Sequence, residues 1–272
     1  MENILDKIRK LMQMTTENGC SEAEMNNALA RAQKLMIEYN VSEDMVEVCE
    51  TDIKEEHINS EPPCYEPRDF EWNLLDLIAS NYMCKTLRSS QYDTVIKKSK
   101  YGDYETLVKK YYYRLIGSNE NRQVVLNLFR SCQNLFRITM HERYKEYQQN
   151  RLNEINEDLA LLGLKAVKLS EVKDNGRVIV RKSNWIPSYL KGCLQGLQSK
   201  LKSEVKDILS NEVINNQYAL VKVKHDALIK EYIDTNIKIN RTVNTNRGKL
   251  FIPEAYREGI KDGFSNQNLK RL

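Results

Sequence analysis

A predominantly helical α+β fold follows from three observations. Apolar residues recur at helical spacing through most of the chain. The stretch from Cys84 to Ile116 alternates instead and is rich in β-formers. A Tyr-x-x-Gly-x-x-x-Gly pattern occurs twice in helical segments, at Tyr189–Gly196 and Tyr256–Gly263. The expected architecture is an N-terminal antiparallel helical hairpin over residues 1–48, an acidic, proline-containing linker over 49–68, and a basic domain over 69–272. That larger domain should combine a small antiparallel sheet with long helices.

The hairpin is the sharpest pattern. Ile4, Leu5, Ile8, Leu11 and Met12 form one helical stripe, and Thr15–Cys20 interrupts it with the turn pair Asn18-Gly19. Ser21 followed by Glu24 is a capping box, in which each residue satisfies an amide the helix start leaves open. Met25, Ala28, Leu29, Ala32, Leu35, Met36 and Tyr39 then make a second stripe, with Ala28 and Ala32 small enough for close axial approach. The run Lys7-Ile8-x-Lys10-Leu11, a turn, and Glu24-x-x-x-Ala28-x-x-x-Ala32-x-x-Leu35-Met36 resembles domain of unknown function 2786. That family occurs in phage, prophage and other bacterial proteins, usually at the N-terminus. The family's Glu-Ala pair reads Glu24-Met25 here. The two Tyr-x-x-Gly-x-x-x-Gly segments also resemble the region that follows the domain in its relatives. The resemblance implies a phage or mobile-element origin and brings with it no site and no biochemical role. The hairpin itself reads as a packing module more readily than as a docking element, because its motif residues are mostly apolar or small.

With 41% apolar and 29% charged residues among 272, the chain is soluble and globular, as one large domain or two small ones. No apolar run reaches transmembrane length. The N-terminus carries Glu2 and Asp6 and has no signal-peptide core, so a bacterial host cytoplasm is the expected location. Six scattered cysteines include no C-x-x-C pair, which argues against a zinc ribbon and for reduced thiols. Charge is uneven. Residues 1–66 hold 6 Lys/Arg against 15 Asp/Glu, net −9; 67–176 hold 18 against 14, net +4; 177–272 hold 18 against 9, net +9. An acidic head on a basic body points to contact between the two or to an acidic partner of the body, and equally to two solvated faces.

Along the chain, Ser42 can cap a short helix through Val48, and Glu61-Pro62-Pro63 marks the linker. Asp69 can cap a helix to Met83 carrying Phe70, Leu74, Leu77, Ile78 and Tyr82. Cys84–Ile96 and Leu107–Ile116 read as an antiparallel pair joined through Lys97–Gly102. Gly117-Ser118-Asn119 opens a long helix that can reach Leu161, its polar second half from Tyr144 to Asp158 facing solvent or an interface. Gly163–Gly176 is irregular, Val178–Val180 a short strand, and Trp185–Leu209 a helix with Pro187 in its first turn. Asn215–Gln217 reads as a turn, Ala219–Val223 as strand or helix start, Ala227–Ile233 as helix and Ile237–Asn246 as strand and loop. Pro253 opens the last helix, to about Ser265. A glycine inside a helix costs roughly 1 kcal/mol against alanine, so the paired glycines need a reason. The expected one is that the two helices pack on each other at close range; a backbone surface left open for a ligand is the alternative.

Signals for chemistry are weak. His141 lacks the second histidine of a zinc-peptidase motif and has Lys145 one turn on. His57 falls in the linker, and His225-Asp226 has no evident third member. No phosphate-binding glycine loop and no nucleophile elbow occur. Any of the cysteines could meet a histidine in space, and nothing favours one. Glu171-Val172-Lys173, with Asp158 upstream, has the spacing of a divalent-metal nuclease site if it forms a strand, and Glu204-Val205-Lys206 repeats it within a helical pattern. The better candidate is a surface. Lys97, Lys98, Lys100, Lys109, Lys110 and Arg114 interleave with Tyr101 and with other tyrosines from Tyr92 to Tyr113. Lysines neutralise phosphates while tyrosines stack on bases; edge lysines also simply discourage sheet aggregation. Alternation would put Tyr111 and Tyr113 on one face and Tyr112 on the other.

The function expected first is that of a non-enzymatic phage or mobile-element accessory protein. It would bind a host protein, for example to inhibit a defence or replication enzyme, and fifteen tyrosines suit such an interface. The alternatives are a nucleic-acid-binding accessory protein using residues 92–114, and a divalent-metal nuclease. No catalytic residue, metal ligand, cofactor or membrane contact is implied, and a homo-oligomer is left open.

Overall fold

A computed structural model describes residues 31, 34–35, 53–60, 69–99, 102–172, 179–208, 212–238 and 251–265. Within them lie strands β1 (Lys54–Ser60), β2 (Lys85–Ser99) and β3 (Gly102–Gly117). The helices are α1 (Phe70–Asn81), α2 (Asn119–Leu161), α3 (Leu169–Val172), α4 (Lys182–Ile208), α5 (Glu212–Asn236) and α6 (Pro253–Ser265). The fold is predominantly helical α+β, with one three-stranded antiparallel sheet ordered β1-β3-β2.

The sheet divides its side chains by alternation. Tyr113 and Leu115 of β3 turn toward α1 and α2 and join the main core with Phe70, Leu74, Leu75, Ile78, Val125 and Phe129. Ile116, one residue on, faces the other way and packs with Ile53 and Ile229 under α5, flanked by Leu87, Leu228 and Tyr232. Two ionic groups are buried on the main-core side. The Glu71 carboxylate accepts from Arg137 at 2.6 Å, Gln133 at 2.8 Å and the Tyr113 hydroxyl at 3.5 Å. Arg122 donates from Nε to the Gly117 carbonyl at 3.1 Å and pairs with Glu56 at 3.6 Å. Each is satisfied from several elements, which is what makes a buried charge tolerable.

Helix α2 starts with Ser118, whose hydroxyl accepts from the Asn121 amide at 3.4 Å. Its 43 residues span about 65 Å. The second half is less exposed than its polarity suggests: Tyr144, Tyr147, Gln148 and Leu152 are buried. Trp185 of α4 explains this, stacking on Tyr189 at 5.1 Å and on Tyr147 at 5.7 Å and lying 5.6 Å from Tyr144. The helix ends in a Schellman motif, with Gly163 at φ +69° donating to Ala160 and Leu164 donating to Leu159.

Helices α4 and α6 cross at their glycines, as the repeat predicts. A Cβ on Gly192 would lie 3.0 Å from the Cα of Gly259 and inside contact distance of the Tyr256 carbonyl; one on Gly263 would lie 2.8 Å from the Cα of Cys193. Backbone meets backbone along both helices. Beside the crossing the Asp262 carboxylate is buried. Arg143 of α2 holds it through two nitrogens, Nε at 2.8 Å and Nη2 at 2.7 Å, and the Tyr189 hydroxyl donates to it at 2.7 Å.

Several expectations change. The stretch read as linker contains β1. The β-hairpin is longer than expected, its strands running to Ser99 and from Gly102. Asp69 makes no side-chain cap and instead accepts from Arg88. Pro187 lies five residues inside α4, not in its first turn. Ile179 and Val180 form no strand; Val180 is held by the hydroxyls of Tyr144 at 3.0 Å and Tyr147 at 3.2 Å. Residues 215–223 are helical throughout, within α5. The N-terminal hairpin, the Ser42–Val48 helix, Glu61–Pro63, Val178 and 239–246 lie outside the described residues. From the hairpin only Arg31, Lys34 and Leu35 are described: their backbone is helical and Leu35 packs against the main core.

The glycine crossing makes a sharp stability prediction. Gly259→Ala puts a methyl group against the Tyr189 backbone, where no rotamer relieves it, and should cost about 3 kcal/mol or more in denaturant unfolding. Gly163→Ala meets no neighbour and pays only for its positive φ, about 1 kcal/mol. Equal costs at the two sites would contradict the crossing. A second prediction concerns pH. His225 is buried on α5 and burial lowers its pKa, with Asp226 opposing. The unfolded chain therefore takes up the proton first, near pH 6.5. Stability is present above that value and is lost as pH falls below it. His225→Gln should reduce the fall in melting temperature between about pH 7 and about pH 5. It should not abolish it, since burial with Lys182 and Lys145 lowers His141 too. An unchanged pH profile would exclude His225 as a contributor.

Candidate interaction surface: a projecting β-ribbon and its root

β1 pairs with β3 only from Gly117 to Tyr111, where Ser60 is the last partner. β2 and β3 continue together from the Gln91–Lys110 pair to the Ser99–Gly102 pair. Nine residue pairs thus run on without a third strand among the described residues, a two-stranded ribbon of about 30 Å. Among the described residues neither of its edges is paired. Ile96, Tyr104 and Leu107 on it are 64%, 52% and 67% exposed. Ile96 and Leu107 share a face as diagonal neighbours, since Ile96 opposes Glu105 and Leu107 opposes Thr94; Tyr104, opposite Lys97, is on the other face.

The residues proposed from sequence divide between ribbon and root. Lys97 opposes Tyr104 and Lys98 opposes Asp103 near the far end; Lys109 opposes Tyr92 and Lys110 opposes Gln91 nearer the body. Lys110 is exposed. Lys100 and Tyr101 lie outside the described residues. Arg114 is not on the ribbon. It sits in the three-stranded part opposite His57 of β1 and Leu87 of β2, paired with Glu55 at 3.3 Å and donating to the Tyr112 hydroxyl at 3.5 Å. The tyrosine run alternates as expected. Tyr113 is wholly buried against Glu71. Tyr111, on the same face, has the Arg88 guanidinium 4.6 Å above its ring. Tyr112 lies on the opposite face, half-exposed.

Around Tyr112 the structure assembles a polar cluster that sequence reasoning missed. His57 stacks on Tyr112 at 5.4 Å and 28°, and His57 Nε2 lies 3.1 Å from a Glu55 oxygen. Hydrogen bonds from Arg114 and then Ser89 lower the Tyr112 pKa by favouring its phenolate. The missing signal was β1 itself. Its Lys54–Ser60 run has one large apolar residue, Ile58, and so does not read as a strand.

The other chemical candidates come apart. Glu171 lies on the four-residue helix α3, not on a strand, and its carboxylate accepts from the Lys168 amide at 2.8 Å; Lys173 is outside the described residues. Glu204 lies in α4, as its pattern suggested. Among the described residues no three His, Cys, Asp or Glu side chains converge to hold a metal. Burial pushes the Cys84 thiol up to about 12 and Cys132 to about 11, and holds Cys193 well above the ordinary range, so none supplies a thiolate at neutral pH. Asp226 approaches Lys85 at 4.0 Å. No helix among the described residues is long and apolar enough to cross a membrane.

The root cluster has a direct spectroscopic check. An ultraviolet difference titration of the wild type against Tyr112→Phe should show Tyr112 ionising below the usual value near 10, and moving up in Arg114→Ala. A wild-type midpoint at or above the usual value would mean that Arg114 does not contact the phenol.

No curated protein and no solved structure matches this chain. Residues 3–43 match the model of a family described as "Protein of unknown function (DUF2786)", the same N-terminal stretch whose helical stripes and capping box carry the resemblance.

Proposed function

We propose that this chain acts as a binding protein whose working element is the β2–β3 ribbon, and that the ribbon docks on a partner protein. The observation that supports this is the exposure of Ile96, Tyr104 and Leu107 on a ribbon that no third strand flanks among the described residues. A two-stranded ribbon is barely stable alone in water. Covering Ile96 and Leu107 would return about 1.5–3 kcal/mol each, and the open edges can pair with a partner's strand. A phage or mobile-element factor that engages a host protein in the bacterial cytoplasm, for instance a defence or replication enzyme, fits this reading. That setting rests on where the N-terminal family occurs.

A second reading has its own observation. The register puts Lys97 and Lys98 near the ribbon's far end and Lys109 and Lys110 nearer its base, each consecutive pair setting one lysine on each face. A two-stranded ribbon fits the major groove of a B-form DNA duplex. The two readings separate in one experiment, in which tagged protein is recovered from bacterial lysate with and without nuclease. For the protein partner, one stoichiometric protein stays after nuclease treatment, is lost with Ile96→Ser/Leu107→Ser, and is kept when Lys97, Lys98 and Lys100 become Glu. For the duplex, nucleic acid co-purifies, binding weakens steeply with salt, and the lysine variant loses it. A partner retained equally by both variants would remove the ribbon from the function.

A further inference from the structure

Among the described residues, one face of the sheet lies uncovered where β1 reaches Ser60 and the ribbon begins, and its composition is unlike that of the ribbon. On the face shared with Ile116, β3 presents Arg114, Tyr112 and Lys110 in succession. β1 places His57 opposite Arg114 and Asn59 opposite Tyr112; β2 places Ser89 opposite Tyr112 and Gln91 opposite Lys110. α5 covers the Ile116 end, where Ile229, Leu87 and Tyr232 pack. Between Leu87 and the Gln91–Lys110 pair the residues on this face are polar, charged or aromatic. His57 is 52% exposed, Asn59 and Lys110 are exposed, and Tyr112 and Ser89 are half-exposed. At its centre lies the His57–Tyr112 stack at 5.4 Å. Arg114 is fixed beside it by Glu55 at 3.3 Å and by the Tyr112 hydroxyl at 3.5 Å.

We infer that this face, centred on Tyr112, His57 and Arg114, binds single-stranded nucleic acid. Unpaired bases expose aromatic faces, and an antiparallel sheet that presents aromatic rings on an open side provides stacking platforms for them. The uncovered width is two inter-strand spacings, about 10 Å, enough for two or three bases. Asn59 and Ser89 flank the stack with hydrogen-bonding groups for base edges, and Arg114 and Lys110 lie along one line of β3 to take backbone phosphates. Glu55 and Tyr112 hold the Arg114 guanidinium in place, so ordering it costs little on binding. A protein partner fits this face less well, because interface cores are depleted of Lys, Glu and Ser and this face carries Lys110, Glu55 and Ser89. A duplex fits it less well too, because paired bases hide the faces that Tyr112 would stack on. The inference does not depend on what the ribbon binds.

The test is fluorescence anisotropy of the full chain with a fluorescein-labelled single strand of about twelve nucleotides, as RNA and as DNA, competed with unlabelled duplex. Saturable binding is expected, with the single strand preferred. Tyr112→Ala should weaken it about 5- to 150-fold, the range for loss of one stacked base. Tyr112→Phe keeps the ring and should weaken binding far less than Tyr112→Ala, which separates stacking from the loss of the hydroxyl contact to Arg114. Arg114→Ala should lower affinity and make the salt slope shallower by about 0.7, one phosphate on a single strand. Thermal unfolding of each variant reports whether the sheet survives. No saturable binding by wild type, preference for duplex, or equal binding by Tyr112→Ala and wild type would overturn the inference. Loss only when Lys97, Lys98 and Lys100 become Glu would overturn it as well, by moving the strand to the ribbon. The ribbon's protein partner is scored separately, by Ile96→Ser/Leu107→Ser in the lysate experiment.

Discussion

The helical layer depends on the backbone contact between α4 and α6. Four glycines, each costing a helix roughly 1 kcal/mol, remove the side chains that would otherwise hold the two helices apart, and carbonyls of one meet the Cα atoms of the other. The close approach does more than pack. It brings Asp262 within reach of Tyr189 on α4 and Arg143 on α2, so that a carboxylate 119 residues from its arginine is buried with its hydrogen bonds made. A half-filled version of that site would leave a charge uncompensated in the interior. Crossing and polar node therefore specify each other: a helix displaced along its axis would lose both at once.

With α6 locked to it, α4 presents Trp185 and Tyr189 to α2, and the aromatic cluster they form with Tyr144 and Tyr147 buries a stretch of α2 that is polar by composition. The amino-terminal part of α2 then packs with α1 over the sheet. The strands' alternation distributes three consecutive tyrosines to three different fates: stacked under Arg88, half-exposed beside His57, and buried against Glu71.

The sheet supplies the surface with its two characters. Its root has a third strand and helices on the main-core side, so side chains there are held in place and can be polar and partly open. Beyond Ser60 and Tyr111 no third strand among the described residues pairs with the ribbon. Such a ribbon gains little from burial by itself, and its large apolar residues remain in water. Rigidity at the root and exposure on the ribbon thus follow from one feature, the described pairing of β1 with β3 between Lys54–Gly117 and Ser60–Tyr111.

What the sequence determined by itself was local and periodic. The stripes of Phe70, Leu74 and Ile78 and of Val124 and Leu128 mark helices, because a 3.6-residue period is written in consecutive residues. Ser118 and Pro253 mark starts, the Cys84–Ile116 alternation marks a hairpin, and the doubled Tyr-x-x-Gly-x-x-x-Gly pattern marks a close helix pair. β1 escaped because a border strand with one large apolar residue carries almost no period. The beginning of α5 escaped because Asn215-Asn216 favours turns unless tertiary packing overrides it. For the site, the sequence located the lysine positions and the alternation of the tyrosines, but could not show that Arg114 is already held by Glu55. Those two residues are 59 apart in the chain and adjacent only because β1 pairs with β3. Cross-strand neighbours are set by register between distant segments, and no local pattern records it. The His57–Tyr112–Arg114 cluster, the overhang of the ribbon and the burial of Asp262 were therefore decided by the tertiary structure alone.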